Sequence, residues 1–193
     1  MTVELLVNVT PQETRVAVVE NGMLQEVFIE RARRRGLVGN IYRGVVNRVL
    51  PGMQAAFIDI GLDRAAFLHA SDIALIDSDD KAEASGNGDN ITRLLHEGQK
   101  LLVQVIKDPL GSKGARLTTH ITIPSRYLVF MPETENVGVS QRIEDEAERQ
   151  RLREIVLTER DKENTGGFIL RTAAEGVDEE SIASDLHFLQ RLW

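Results

Sequence analysis

Apolar and polar residues alternate in short runs along most of this chain, the period of half-buried strands. The opening MTVELLVNVT is strand-like. Thr14–Val19 and Met23–Ile29 follow, flanking Glu20-Asn21-Gly22, where Asn-Gly suits the positive φ angles of a tight hairpin turn. A hairpin plus one strand cannot make a stable core alone, so other chain is expected to cover this sheet. After a basic connector, Arg31–Arg35, the pattern predicts strands at Ile41–Leu50, Ala55–Ile60 and Ala65–His69, separated by turns at Pro51-Gly52 and Gly61-Leu62-Asp63. A short helix at Ile91–His96, a strand at Leu101–Ile106, a turn at Asp108–Gly114 and a fifth strand at Ala115–Ile123 complete an interrupted five-stranded meander, the pattern of a small closed barrel. The segment Asp77–Asn90, DSDDKAEASGNGDN, has almost no apolar content and is expected to be an exposed loop.

Pro124 punctuates the next boundary. Tyr127–Met131 reads as a strand, and Glu144–Glu159 as a helix with Ala147, Leu152, Ile155 and Val156 on one face. Gly166-Gly167 ends that region, and Phe168–Leu170 reads as a buried strand leading into Arg171-Thr172. Asp178 is the expected N-cap of a last helix whose apolar residues Ile182, Leu186, Leu189 and Trp193 recur every three or four positions. No Gly, Asn or Pro follows to stop it, so the sequence is expected to break off inside or just after this helix.

Composition adds limits. The 42% hydrophobic and 27% charged residues are those of an ordinary folded chain. No apolar run near 18 residues and no charged-then-apolar leader occur, so no membrane span is expected and the chain reads as cytoplasmic. The absence of cysteine excludes disulfides and thiolate metal sites within the chain. A net charge of −7 argues against non-specific coating of nucleic acid, but the charge is partitioned: Arg31 to Ala70 carries seven arginines against two acids, Asp59 and Asp63. The acids gather instead in Asp77–Asp89 and Glu133–Glu180.

The most informative stretch is GNIYRGVVNRVLPGMQAAFIDIGLDRAAFLHASDI with the later LHEGQKLLVQVIKDPLGSKGARLTT. In strand order, in the Gly-Leu turn before AAFLHASDI and in the EGQ turn before the fourth strand, it resembles the S1 motif, an RNA-binding barrel of the oligonucleotide-binding (OB) fold. Phe57 and Phe67 fall on adjacent predicted strands with His69 in phase, so all three could share the outer face, where aromatic rings stack on bases. Lys107, Lys113 and Arg116, expected on the other side of the barrel, could hold the RNA backbone. A core position is the competing role for each Phe, and a solvated surface position for Arg43, Arg48 and Arg64.

With LLVNVTPQETRVAVVENGMLQE before that stretch and GFILRTAAEG after it, the whole chain resembles the ribonuclease E/G family, closer to its ribonuclease G branch. The resemblance implies an α+β, mostly β fold in three parts: residues 1–36, a partial ribonuclease-H-like sheet; 37–119, the S1-type barrel; and 120–193, a small α/β sensor for an RNA 5′-monophosphate, cut short at its last helix. It assigns Arg171 and Thr172 to phosphate gripping, with Ser125 and Val129 lining the pocket. A guanidinium fork and a neighbouring hydroxyl suit phosphate oxygens, although a solvated strand end is the competing role for Arg171. Ser125 stands where the ribonuclease E branch has Gly, which puts backbone contact there in question.

The resemblance also implies single-stranded RNA with a 5′-monophosphate as partner, a homodimer for a full-length member, and magnesium and zinc bound by segments beyond this chain, so no catalytic residue and no metal site are expected within it. Asp59, Asp63 and Asp77–Asp80 are weak metal candidates on composition alone. His96, His120 and His187 lack a nucleophilic constellation. The expected function is RNA gripping and 5′-end sensing for a magnesium-dependent endoribonuclease, a hydrolase of ribosomal RNA maturation and messenger RNA decay. The alternatives are a non-catalytic adaptor of the translation machinery using the same barrel, and an acidic protein-binding module.

Overall fold

The computed structural model describes residues 2–74, 91–160 and 166–193, without the side chain of Arg34. The expected loop Asp77–Asn90 therefore lies outside the described residues. The chain divides into two compact units, residues 1–37 and 38–193.

The first unit is an antiparallel meander of β1 (Val3–Val9), β2 (Glu13–Glu20) and β3 (Met23–Arg31), with β2 central. Asn21 and Gly22 both take positive φ, 49° and 79°, which lets the β2–β3 turn follow the twist of its strands. Every residue of β1 and β3 is exposed, including Leu5, Leu6, Phe28 and Ile29. The sheet buries no core of its own among the described residues.

The second unit opens with a closed barrel of β4 (Ile41–Leu50), β5 (Ala55–Asp59), β6 (Ala66–His69), β7 (Lys100–Lys107) and β8 (Arg116–Thr118), in the order β4-β5-β6-β8-β7. Inward-facing side chains fill it: Ala56, Ile58, Ala66, Leu68, Val103, Val105 and Leu117 are buried inside. Two glycines permit the closure. A Cβ on Gly44 would lie 2.5 Å from Ile58 Cγ2, and one on Gly114 would collide with the Ala65 carbonyl oxygen. A one-turn helix, α1 (Ile91–Leu94), stops short of the expected His96, whose N–H donates to Gln99 Oε1 instead (3.1 Å).

The expected strand Ala115–Ile123 is corrected by the structure into two. After β8 the chain turns away: the Thr119 N–H donates to the Asp72 carbonyl (2.9 Å), as does the Thr118 hydroxyl (2.9 Å). Buried Gln104 then accepts from the Thr122 N–H (2.9 Å) and donates to the Thr122 and Gly39 carbonyls (2.9 and 3.0 Å). Threonines favour strands, but their hydroxyls also compete with a ladder, and here they do. Ile123–Pro124 becomes β9, an edge strand where proline costs no ladder bond.

β9 joins β10 (Leu128–Met131), β11 (Val137–Val139) and β12 (Gly167–Leu170) in a sheet ordered β11-β12-β10-β9. The three-residue β11, with Gly138 at its centre, is an addition to the strands that the sequence pattern predicts. Helices α2 (Glu146–Glu159, capped by Asp145) and α3 (Glu179–Leu192, capped by Asp178) pack on one face of this sheet around Phe130, Phe168, Leu128, Leu170, Leu152 and Leu186.

Candidate nucleic-acid interface

Because β5 alternates, burying Ala56 and Ile58 turns Phe57 outward; the same logic on β6 turns Phe67 and His69 outward between Ala66 and Leu68. Phe57 and Phe67 are direct cross-strand partners, half-buried, with ring centroids 6.2 Å apart in an edge-to-face arrangement. The core role is thereby excluded for both. The register continues the row on either side: Arg48 opposes Phe57, Arg116 opposes Phe67, and Lys107 opposes Arg116. The barrel wall thus carries cation, ring, ring, cation, cation across five adjacent strands.

One expectation fails here. Lys107, Lys113 and Arg116 are not on the other side of the barrel. β8 pairs in parallel with β6, so closure brings β7 and β8 beside the rings instead of opposite them. All three line one cleft with Phe57, Phe67, Arg48 and Arg64; its volume of about 1460 Å³ exceeds the roughly 300–1,000 Å³ of a small-molecule pocket. Arg48 and Arg64, for which the sequence favours a solvated surface, also belong to it. The bulge at Asn47 shifts β4 by one residue and sets Arg48 opposite Phe57, a displacement that alternation does not reveal.

Not every cation is equally available. Arg116 donates from Nε and Nη2 to Asp72 Oδ2 (3.1 and 2.9 Å), which neutralises it and holds its plane. Arg64 donates from Nη1 to the Gly111 carbonyl, tying the β5–β6 turn to the 108–114 loop that carries Lys113. His69 stands apart from the cleft lining: its Nδ1 accepts the Ser71 N–H (3.2 Å) and meets the Ser71 hydroxyl (2.8 Å), capping the turn Ala70–Asp72.

The second cluster lies at the end of β12. Arg171 N–H donates to the Tyr127 carbonyl (2.8 Å), and its Nη1 donates to the Ser125 carbonyl (2.5 Å). Thr172 shares a hydroxyl contact with Ser140 (3.1 Å) just past β11. Arg171 and Thr172 are exposed. Val129 stands two register steps in from this corner, opposite Ile169, on the sheet face away from buried Leu128 and Phe130. Ser125 contributes a carbonyl; its hydroxyl is turned to Asp185 on α3 (2.6 Å). Ser140 and Asp185 carry no signal in the sequence, because only tertiary structure, with no spacing rule, brings them here.

The loop after Thr172 is fixed from α2. Glu148 and Arg151 form a two-bond fork (2.7 Å each); Glu148 Oε1 also accepts the Gly176 N–H (2.9 Å), and Arg151 donates to the Val177 carbonyl (2.9 Å). Chiefly through the Arg151 bonds, then the Gly176 N–H, the Glu148 carboxyl is held down to about 2. At the start of α3, the Ser181 N–H and then its hydroxyl hold Asp178 below the usual carboxylate range.

A family model described as Ribonuclease E/G family matches residues 122–193. The chain is 62% identical to ribonuclease G of Salmonella typhimurium, over 100% of this chain and 40% of that protein. It is 60% identical to ribonuclease G of Haemophilus influenzae, over 99% of this chain and 39% of that protein.

The chain belongs to the ribonuclease E/G family.

Within the family it sits with the G branch, since ribonuclease E of Nostoc sp. is 41% identical over 96% of this chain and 26% of that protein. The chain spans about two-fifths of the length of the ribonuclease G relatives it matches. Among the described residues, no group of three or more His, Asp or Glu converges on a point. Asp59 is used locally, its Oδ1 accepting the Gly61 N–H (2.9 Å), and Asp77–Asp80 lie outside the described residues. Among the described residues no helix is long and apolar enough to cross a membrane.

Proposed function

We propose that this chain grips single-stranded RNA in the barrel cleft and reads a 5′-monophosphate at Arg171, as the RNA-binding and end-sensing part of an endoribonuclease of ribosomal RNA maturation and messenger RNA turnover. The observation that carries the reading is the cross-strand row in which Phe57 and Phe67 are bracketed by Arg48, Arg116 and Lys107. Rings on a barrel wall offer faces and edges to bases of any sequence, and the flanking cations suit the phosphates between them. At the second site, anchoring Arg171 by one nitrogen leaves its other donors for phosphate oxygens, with the Thr172 hydroxyl adjacent. A 5′-hydroxyl lacks the charge such a fork recognises, and a 5′-triphosphate adds charge and bulk. Cutting, and any metal or subunit pairing it needs, is assigned to the part of the longer relatives that this chain does not span.

The test is the affinity of the chain for one short single-stranded RNA carrying either a 5′-monophosphate or a 5′-hydroxyl, at two salt concentrations. The reading expects tighter, salt-sensitive binding of the monophosphate. Equal binding of both would remove end sensing, and no binding at low salt would remove the barrel as well.

A further inference from the structure

Resting on that reading of Arg171, we propose that Asp185 is a positioning residue for the phosphate-sensing arginine, acting through the turn that joins β9 to β10. The turn is gripped from both sides at the same two residues. Asp185 Oδ2 accepts from the Tyr127 N–H (2.9 Å) and from the Ser125 hydroxyl (2.6 Å), which also lies 3.0 Å from the Leu128 carbonyl. Arg171 takes their acceptors: its Nη1 binds the Ser125 carbonyl (2.5 Å), and its backbone N–H binds the Tyr127 carbonyl (2.8 Å). The Ser125 N–H closes the turn on the Leu128 carbonyl (2.8 Å). Asp185 is itself half-buried on α3, between buried Leu186 and the exposed Ser184.

The consequence follows from the geometry of a guanidinium. Arg171 is exposed, and an exposed arginine samples many rotamers unless part of its fork is tied down. The tie is a single carbonyl, and that carbonyl is only as fixed as its turn. The one carboxylate oxygen that takes the Ser125 hydroxyl and the Tyr127 N–H therefore adds to the turn's own bonds on the Leu128 carbonyl and sets where the guanidinium stands. A charge is not required for this. An amide oxygen in the same place accepts the same two bonds, so asparagine should serve where alanine should not.

The experiment compares monophosphate and hydroxyl RNA affinities for the wild-type chain and for Asp185→Ala, Asp185→Asn, Ser125→Ala and Arg171→Ala, with thermal melting to confirm folding. Asp185→Ala should lower the monophosphate-to-hydroxyl affinity ratio roughly three- to tenfold, as expected for disturbing about one hydrogen bond's worth of order. It should leave hydroxyl RNA binding unchanged, since that affinity resides in the barrel. Asp185→Asn should restore most of the ratio. Ser125→Ala removes one donor without touching α3 and should lower the ratio less, in the same direction, which keeps the test open if Asp185→Ala fails to fold. If Arg171→Ala abolishes the ratio while Asp185→Ala and Ser125→Ala leave it intact, the positioning role is overturned and the sensing role stands. If Arg171→Ala leaves the ratio intact, the sensing role itself falls.

Discussion

On the barrel, Phe57, Phe67, Arg48, Arg116 and Lys107 are set side by side by the register of five strands. At the end of β12, Arg171 is set by two carbonyls of one turn, and that turn by one carboxylate on a distant helix. The first arrangement is repetitive: truncating one of these outward side chains leaves in place the backbone ladder that positions the others. The second is serial, so a change at one link is passed to the next. A surface that must accept any base can be built from independent parts, whereas a site that distinguishes one chemical end from another needs a fixed fork.

The largest effect separating these two modes is expected where the ladder itself is forced. Gly114→Ala drives a Cβ into the Ala65 carbonyl, where only backbone can move. It should cost about 3 kcal/mol of stability, seen as a lower midpoint in urea, and should shift the 108–114 loop away from the cleft. Phe67→Ala should leave the ladder intact and weaken single-stranded RNA binding by about 2 kcal/mol whatever the 5′ end carries, measured by fluorescence anisotropy. An equal loss confined to monophosphate RNA would reverse the assignment of the two sites.

Glu148→Gln tests the serial side away from the ligand. The folded state keeps Glu148 ionised down to about 2 against an ordinary 4.5, so its contribution is complete above the ordinary value and vanishes as pH falls through the folded one. The variant should be about 1 kcal/mol less stable at pH 7 and indistinguishable from wild type near pH 2. A stability gap that widened on acidification would refute the fork. The smallest effect concerns salt. Lys113→Ala should flatten the dependence of log affinity on log salt by about 0.7 for each phosphate no longer neutralised. Arg116→Ala, whose charge Asp72 already offsets, should lower affinity with little change in slope.

The same contrast governs how much is legible in the sequence. The barrel strand Ile41–Leu50, the Asn21-Gly22 turn and the Asp178 cap are local signals, read directly from alternation, turn chemistry and a capping side chain. Phe57 and Phe67 fall on one outward face because period two decides it. Sequence order puts Lys107 and Arg116 on the wrong side, because barrel closure joins β6 to β8, a pairing that order along the chain conceals. Arg48 is hidden by the bulge at Asn47, which reassigns its partner. β11 is three residues long around a glycine, too short for a periodic signal. Asp185 lies 60 positions from Ser125 on a helix whose pattern reports only its buried face, so nothing local marks it.

The most direct measurement of the two-site account crosses two variants with two ligands: wild type, Phe67→Ala and Arg171→Ala, each titrated with the same RNA bearing a 5′-monophosphate or a 5′-hydroxyl. The account predicts that Phe67→Ala lowers both affinities by the same factor and preserves their ratio, while Arg171→Ala brings the monophosphate affinity down to the hydroxyl value and leaves the latter unchanged. Equal losses from both variants on both RNAs would contradict it.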